Sequence, residues 1–445
     1  MSAGVKDNRA QELLSCWRAG LAAADPRQAV TRALDELAGS TRHPWIVALG
    51  KAAEPMTDAA VSWLEANGGS AAGGLIVSSS TAADHALPSV RGDHPVPGPR
   101  SAAAAEALGR LCQQLPASAP VWVMLSGGTT SLIGGPATGL TEADLQESYR
   151  VLLESGLDIR RMNQVRKRLS RWGGGQLLTA LGDRPILQLV VSDVPGDDLA
   201  AIGSGPLIPD RTPAAEVLQH LEAAGARHRM PARAVARLQA LAGARGEGVP
   251  PDVPALDRVV SRVVVSNRIA MAAAAEAGRR LGWEVTMIDG YLEGEARDCG
   301  ARLARQVLTI PGPGPVLLVA GGETTVRLPA GHRRLGGRCQ ELALSAAETL
   351  RRAPAPVLLL AAGTDGRDGP TEAAGALVDR ETWNRIRQSG GDPAQALAAH
   401  ASHDALAAVG ALVHTGPTGT NVADLVLAFR DAGPVRETRL GPAAP

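Results

Sequence analysis

Short apolar runs, each closed by a glycine-rich turn and followed by an alanine-rich stretch of helical period, set the rhythm of this chain. Residues 8–38 read as helices, with Asp25-Pro26 marking a helix start inside "AAADPRQAVTRALDELA". "WIVALGKAA" then reads as a strand running through Gly50-Lys51 into a helix. The unit recurs as strand "GLIVSS", helix 101–114 and strand "VWVML" ending at "SGGTTSL". A helix over 164–181 leads to strand "ILQLVVSDVPGDD". Strand, glycine turn and helix repeated at this pace predict a parallel sheet covered by helices.

The stretch 241–257, "LAGARGEGVPPDVPALD", has no hydrophobic period and reads as a linker. Beyond it come strand "RVVVSN", helix 268–281, strand "EVTMIDG", helix 295–308, strand "PVLLVAGG", helix 340–352 and strand "PVLLLAAG". "LVHTGPTGTN" and a closing helix near 422–430 complete the pattern. A chain of 445 residues exceeds one ordinary core. The expected fold class is therefore α/β, two α/β/α domains with largely parallel sheets: a Rossmann-like domain over 1–245 and a second over 256–445. The halves echo each other, "VMLSGGTTSL" against "LVAGGETTVRL" and "VVSDVPGDD" against "LLAAGTDGRDG", by convergence or duplication. Both present glycine and carboxylates at the carboxyl ends of strands, where open parallel sheets bind ligands.

Composition narrows the classes. Apolar residues at 45% and charged residues at 20% suit a globular protein. A formal net charge of zero argues against a nucleic-acid or membrane-surface partner. Cys16, Cys112, Cys299 and Cys339 form no CxxC pair, so a reducing, cytoplasmic setting fits best. "MSAGVKDNRAQELL" is no signal peptide, and no apolar run approaches the ~20 residues of a membrane span, so the protein is expected to be soluble. His400 and His403 read as part of a solvated helix or turn rather than as metal ligands.

Several loops suit an anion, because glycine lets backbone N–H groups approach it unobstructed. They are Ser126-Gly127-Gly128-Thr129-Thr130, Gly173–Gly175, Gly203-Ser204-Gly205, Gly321-Gly322-Glu323-Thr324-Thr325 and Gly336-Gly337-Arg338. No GxGxxG follows a strand, and Gly50-Lys51-Ala52 is not a Walker loop. The only lysines are Lys6, Lys51 and Lys167 among 45 basic residues, and Lys51 sits where a strand turns into a helix, suited to a phosphate or carboxylate. Arg338 offers a guanidinium from a flexible loop. Asp193, Asp197 and Asp198 close one strand, Asp365 and Asp368 another. Such carboxylates supply Mg²⁺ ligands and a proton acceptor for phosphoryl transfer, or else cap helices and turns. Asp193 and Asp365, first in their turns, are the stronger candidates. His94, in the rigid "GDHPVPGPRS", reads as a structural turn. Thr415, Thr418, Thr420 and Asn421 offer hydroxyls and amides to a ligand from a tight loop, or Thr420 or Asn421 caps a helix.

"VALGKAA", "HPVPGPRS", "LSGGTTSL", "NQVRKRLSRWGGGQL", "VVSDVPGDDLAAIGSGPLIPD", "GGETTV", "GGRCQEL", "GTDGRDGPTEAAGALVD" and "TGPTGTNVADL" span nearly the whole chain. In this combination and order the chain resembles the glycerate 2-kinase family, whose C-terminal half is called the MOFRL domain. Cys339, Gln164 and Gly363 depart from the family pattern. The resemblance implies an active site in an interdomain cleft and ATP- and Mg²⁺-dependent phosphorylation of D-glycerate, or a related hydroxy acid, at its 2-hydroxyl. On it, Lys51 and Arg338 are expected to hold substrate or phosphate charge. Asp193 is expected as the base and Asp365 as a Mg²⁺ ligand, with Asp193 a second metal candidate. Ser126, Gly127, Gly128, Thr129, Gly322, Glu323, Thr324, Thr418 and Asn421 are expected to contact the nucleotide. The competing readings are a hydroxypyruvate reductase and a non-catalytic sugar-acid or nucleotide-binding protein. A monomer or homodimer is expected, with only small-molecule partners.

Overall fold

The computed structural model describes residues 3–80, 85–243, 256–329 and 331–431. The chain divides into two compact units, one of Pro26–Val265 and one of Met1–Asp25 with Ser266–Pro445.

The first unit holds six strands: β1 (Trp45–Leu49), β2 (Gly73–Ser78), β3 (Ser89–Arg91), β4 (Val121–Leu125), β5 (Ile186–Val191) and β6 (Val259–Val265). All pair in parallel in the order β3-β2-β1-β4-β5-β6. β4 and β5 are buried at every residue, which explains why β4 is wholly apolar and β5 apolar but for Gln188, whose Oε1 accepts the Ser261 hydroxyl at 2.8 Å: helices cover both faces. Val47, Leu49, Val121, Val123 and Leu125 meet helices Pro99–Gln114 and Gln176–Leu181. On the opposite face Trp122 meets Trp63 of helix Ala53–Ala66 edge-on at 6.0 Å. The helix expected over 164–181 is two, Ile159–Leu169 and Gln176–Leu181. Gly174 and Gly175 adopt positive φ between them, and their N–H groups donate to Ser204 and Gly205 at 2.9 Å, pinning the break.

The second unit's sheet comprises β7 (Glu284–Met287), β8 (Val316–Gly322), β9 (Val357–Gly363), β10 (Gly375–Asp379), β11 (Leu412–Val413) and β12 (Asp424–Arg430), in the order β11-β10-β9-β12-β8-β7. Here the expectation of a largely parallel sheet needs correction. Only β7 and β8 pair in parallel; β12 runs antiparallel between β8 and β9, and β10 and β11 add two more antiparallel pairs. β12 stands where a closing helix was expected. "DLVLAFR" is buried on both faces, and a short all-apolar run carries no period that separates strand from buried helix. The different sheet topologies give the echoed motifs no shared scaffold, against duplication.

The divide also differs from the expected 1–245 and 256–445. Helix Ala3–Ala23 belongs to the second unit, packing on helix Asn267–Arg280 so closely that Gly20 has no room for a Cβ beside the Ala270 carbonyl. β6 completes the first sheet by pairing with β5. Most of the expected linker lies outside the described residues.

Candidate active site

In a doubly wound sheet, strands leave in opposite directions from a switch point, and ligands settle outside the carboxyl ends there. In the parallel unit that point lies between β1 and β4. β1 ends in Gly50-Lys51 and β4 in Ser126-Gly127-Gly128. The two turns interlock: Ser126 N–H donates to Leu49 O (2.9 Å), Lys51 N–H to Gly127 O (2.9 Å) and Ala52 N–H to Ser126 Oγ (3.0 Å). Gly50, at φ +120°, has to be glycine because any Cβ would collide with Ser126. Ser126 and Thr129 are buried, and Thr129 Oγ1 donates to Ser126 O at 2.8 Å. These two hydroxyls hold the turn from inside.

Around Gly127-Gly128 stand three chemically useful side chains. A Cβ on Gly127 would collide with the Asp193 carboxylate, so that carboxylate lies directly on the turn. A Cβ on Gly128 would lie 3.3 Å from Lys51 Cγ and Cε and 3.1 Å from His94 Cδ2. Lys51 is exposed, and its ammonium makes no hydrogen bond or ion pair among the described residues. Partial burial, then the Lys51 charge, lowers the His94 pKa below its ordinary 6.5, so the ring is neutral at neutral pH. The sequence had His94 as a plain turn residue. The turn is there, with Asp93 accepting from Arg100 N–H (2.9 Å) and Arg100 Nε (2.6 Å), and its rigidity aims the ring at the site.

The chain after Asp193 is bent hard. Gly196, Asp197, Gly203, Ser204 and Gly205 all have φ between +55° and +78°, with Ser204 and Asp197 there despite carrying a Cβ. Ser204 Oγ lies 2.9 Å from Thr130 Oγ1, which ties this loop to the glycine turn. Lys167 lies alongside, its stem against Gly173 and Gly174. Burial lowers its pKa, opposed by Asp210 and Asp198, and it has no hydrogen bond or ion pair among the described residues. Sequence reasoning missed Lys167, although its rarity was the signal that singled out Lys51.

In the mixed-sheet unit, Arg338 opens helix Arg338–Leu350. Its Nε and Nη2 donate to the Asp424 carboxylate at 2.6 and 3.0 Å, and its Nη1 to Glu323 at 2.7 Å. Burial opposes its charge, but Asp424 and then Glu323 outweigh this and hold its pKa above the ordinary value. Asp368 caps the same helix, accepting Cys339 N–H (3.0 Å) and Gln340 N–H (2.8 Å), and burial pushes its pKa up to about 6. Asp365 is half-buried, and its Oδ1 accepts Arg367 N–H at 3.0 Å. Thr418 Oγ1 donates to Thr364 O, tying its loop to the turn after β9, and Asn421 Oδ1 accepts Ala423 N–H at 3.1 Å within its own loop. Gly322 lies close against Leu292, and the buried Thr324 hydroxyl has no partner among the described residues. His400 and His403 pair with Glu341 (2.9 Å) and Gln340 (3.0 Å) on the same helix. Sequence reasoning missed Asp424, which fell inside the closing helix expected near 422–430.

Among the described residues no three His, Cys, Asp or Glu side chains form a metal-holding group. Mg²⁺ commonly needs only one or two carboxylates, its other ligands being water and nucleotide phosphates. Asp365 and Asp193, each at a glycine-rich strand end, fit that sparser requirement. No helix among the described residues is long and apolar enough to cross a membrane.

The MOFRL family model matches residues 316–424, and the model of a domain of unknown function, DUF4147, matches residues 12–239. The glycerate 2-kinase of Pyrococcus horikoshii is 37% identical over 345 residues, 76% of this chain and 77% of that protein. A protein of Agrobacterium vitis named, provisionally, a hydroxypyruvate reductase is 36% identical over 93% of each chain. The crystal structure of glycerate kinase from Thermotoga maritima matches with a TM-score of 0.84 at 31% identity, covering 96% of this chain and all of that one.

Proposed function

The chain belongs to the glycerate 2-kinase family, and from that premise we propose that it transfers the γ-phosphoryl group of ATP to the 2-hydroxyl of D-glycerate, giving 2-phosphoglycerate and ADP. The observation that carries this reading is the glycine turn at the β1/β4 switch point, with the exposed Lys51 side chain and the Asp193 carboxylate on it. Phosphoryl transfer asks the protein mainly for positioning and for cations at the developing charge. Lys51 and Arg338 supply those cations, and the Gly127-Gly128 backbone admits an anion without side-chain interference. Asp193 takes the proton of the 2-hydroxyl as its oxygen bonds to phosphorus and the bond to the ADP oxygen breaks. Neutral His94 gives that hydroxyl or the glycerate carboxylate a hydrogen-bonding partner beside Lys51. Mg²⁺, when bound with ATP, neutralises phosphate charge; Asp365 is the carboxylate that would hold it, with Asp193 a second candidate.

The enzyme is read as cytoplasmic, a monomer or a homodimer. Four buried cysteines without disulfides support a reducing compartment. The reductase name of the Agrobacterium vitis relative motivates a second assay. The turn after β1, Gly50-Lys51-Ala52-Ala53-Glu54, lacks the further glycines with which dinucleotide folds approach a pyrophosphate. Incubation with ATP, Mg²⁺ and D-glycerate should yield 2-phosphoglycerate by phosphorus NMR. NADH with hydroxypyruvate should show no oxidation above the protein-free rate. NADH oxidation without phosphoryl transfer would replace the kinase reading with the reductase.

A further inference from the structure

Asp424 has no part in the reaction as just described, yet it makes the tightest contacts of any acid near Arg338. It is the first residue of β12, in register with Gly322 of β8 on one side and Gly363 of β9 on the other. Neither neighbour has a side chain to crowd it. Because β12 is inserted antiparallel, its start lies level with the carboxyl ends of β8 and β9. A buried carboxylate is thereby delivered to the glycine-rich end of the sheet. Asp368 fixes the other end of the arrangement by capping the helix that Arg338 opens.

We propose that Asp424 is the positioning residue for Arg338, gripping the Nε–Nη2 edge of the guanidinium so that the Nη1 edge, now on Glu323, is the one that meets the substrate's anionic group. The inference rests on the phosphoryl-transfer reading and adds a division of labour between two acids. A guanidinium has five N–H donors in a rigid fork, and a bidentate carboxylate fixes the whole plane. Asp424 uses two of them; the donors left on Nη1 and Nη2 remain available to a ligand.

The two acids differ in how easily they can be displaced. The Asp424 side chain is 5% exposed, and stripping Arg338 from it would leave a buried unpaired carboxylate, a costly state. Glu323 is 54% exposed, and exposed ion pairs contribute little. An incoming phosphate or carboxylate therefore replaces Glu323 and leaves Asp424 in place. Glu323 acts as a stand-in for the substrate's charge and competes with it.

Steady-state kinetics combined with chemical rescue tests this. Asp424→Asn should lower kcat about 100-fold, the scale of losing one oriented charge donor, with KM for ATP changed little. Glu323→Gln should raise kcat/KM by lowering KM. Guanidinium chloride at tens of millimolar should restore part of the turnover of Arg338→Ala, because Asp424 still offers the seat. The Arg338→Ala, Asp424→Asn double variant should show no rescue, an outcome that a merely structural Asp424 would not produce. Equal rescue in the single and double variants, or a folded Asp424→Asn protein at wild-type kcat, overturns the proposal. Should Asp424→Asn not fold, Glu323→Gln decides: a fall in kcat like that of Arg338→Ala overturns it. Failure of the wild type to phosphorylate D-glycerate would instead sink the reading beneath it, before any variant is made.

Discussion

Lys51 and Arg338 both follow glycines, Gly50 after a strand and Gly336-Gly337 before a helix, one in each unit, and the protein keeps them in opposite ways. Lys51 follows a parallel strand, is exposed, and has no ion-pair partner among the described residues. Arg338 begins a helix against an antiparallel insertion and holds Asp424 and Glu323 at 2.6–3.0 Å. An ammonium on a flexible stem can follow a group that moves, whereas a guanidinium pinned along one edge holds a fixed geometry. A cation without partners is strongly hydrated and gains its partner only when an anion arrives. A paired one has already lost that water and is oriented beforehand. The parallel sheet supplies a mobile charge and the mixed sheet a rigid one.

The largest expected effects come from removing either cation. Lys51→Ala and Arg338→Ala should each lower kcat/KM about 10³-fold; melting should stay near wild type in Lys51→Ala and fall in Arg338→Ala, which keeps its circular dichroism but leaves Asp424 buried and unpaired. A wild-type rate in either variant removes that residue from the site. Next is Gly127→Ala, whose new methyl would occupy the space of the Asp193 carboxylate. Turnover should fall about 100-fold, to the level of Asp193→Asn, because a displaced carboxylate no longer reaches the hydroxyl proton. Full activity in Gly127→Ala would show that the position of Asp193 on the turn is immaterial. Lys167→Met, which keeps the stem and removes the charge, should raise KM for one of the two substrates about tenfold. An unchanged KM for both would leave Lys167 as packing for the Gly173-Gly174 turn.

The smallest effect is on stability, and it belongs to the rigid side. Burial raises the Asp368 pKa from 3.8 to about 6. Between those values the unfolded chain has lost its proton while the folded one keeps it, so stability from this group falls as pH rises through that window and is flat above it. The difference in unfolding free energy between wild type and Asp368→Asn should therefore shrink from about pH 4 to about pH 7. A difference that grows over the same range would mean that the helix N–H groups, not burial, govern Asp368.

The parallel unit was largely legible because its signals are local. Strand, glycine turn and helix recur in sequence, and the side chains that matter lie within a few residues of strand ends, as Lys51 and Asp193 do. The mixed sheet was less so, because pairing direction is set by distant partners. β12 is apolar at almost every position since neighbours cover both faces, which hid it as a helix and hid Asp424 at its start. Ser126 and Thr129 were expected at the nucleotide and Asp368 was left open between ligand and cap; their part in holding turns and a helix end was not legible, because the partners are set by the fold. Asp198 also holds its own turn, its Oδ1 accepting Ala200 N–H at 2.9 Å. The place of helix Ala3–Ala23 in the second unit could not be read locally either, because its amphipathic face names no partner.

Exchanging the two cation types measures the contrast most directly, through kcat of Lys51→Arg and Arg338→Lys with ATP, Mg²⁺ and D-glycerate. A mobile point charge tolerates replacement by another cation, so Lys51→Arg should keep at least about a tenth of wild-type turnover. A lysine cannot form the two-point contact with Asp424, so Arg338→Lys should fall to the level of Arg338→Ala. Arg338→Lys proving the better tolerated of the two would contradict the account.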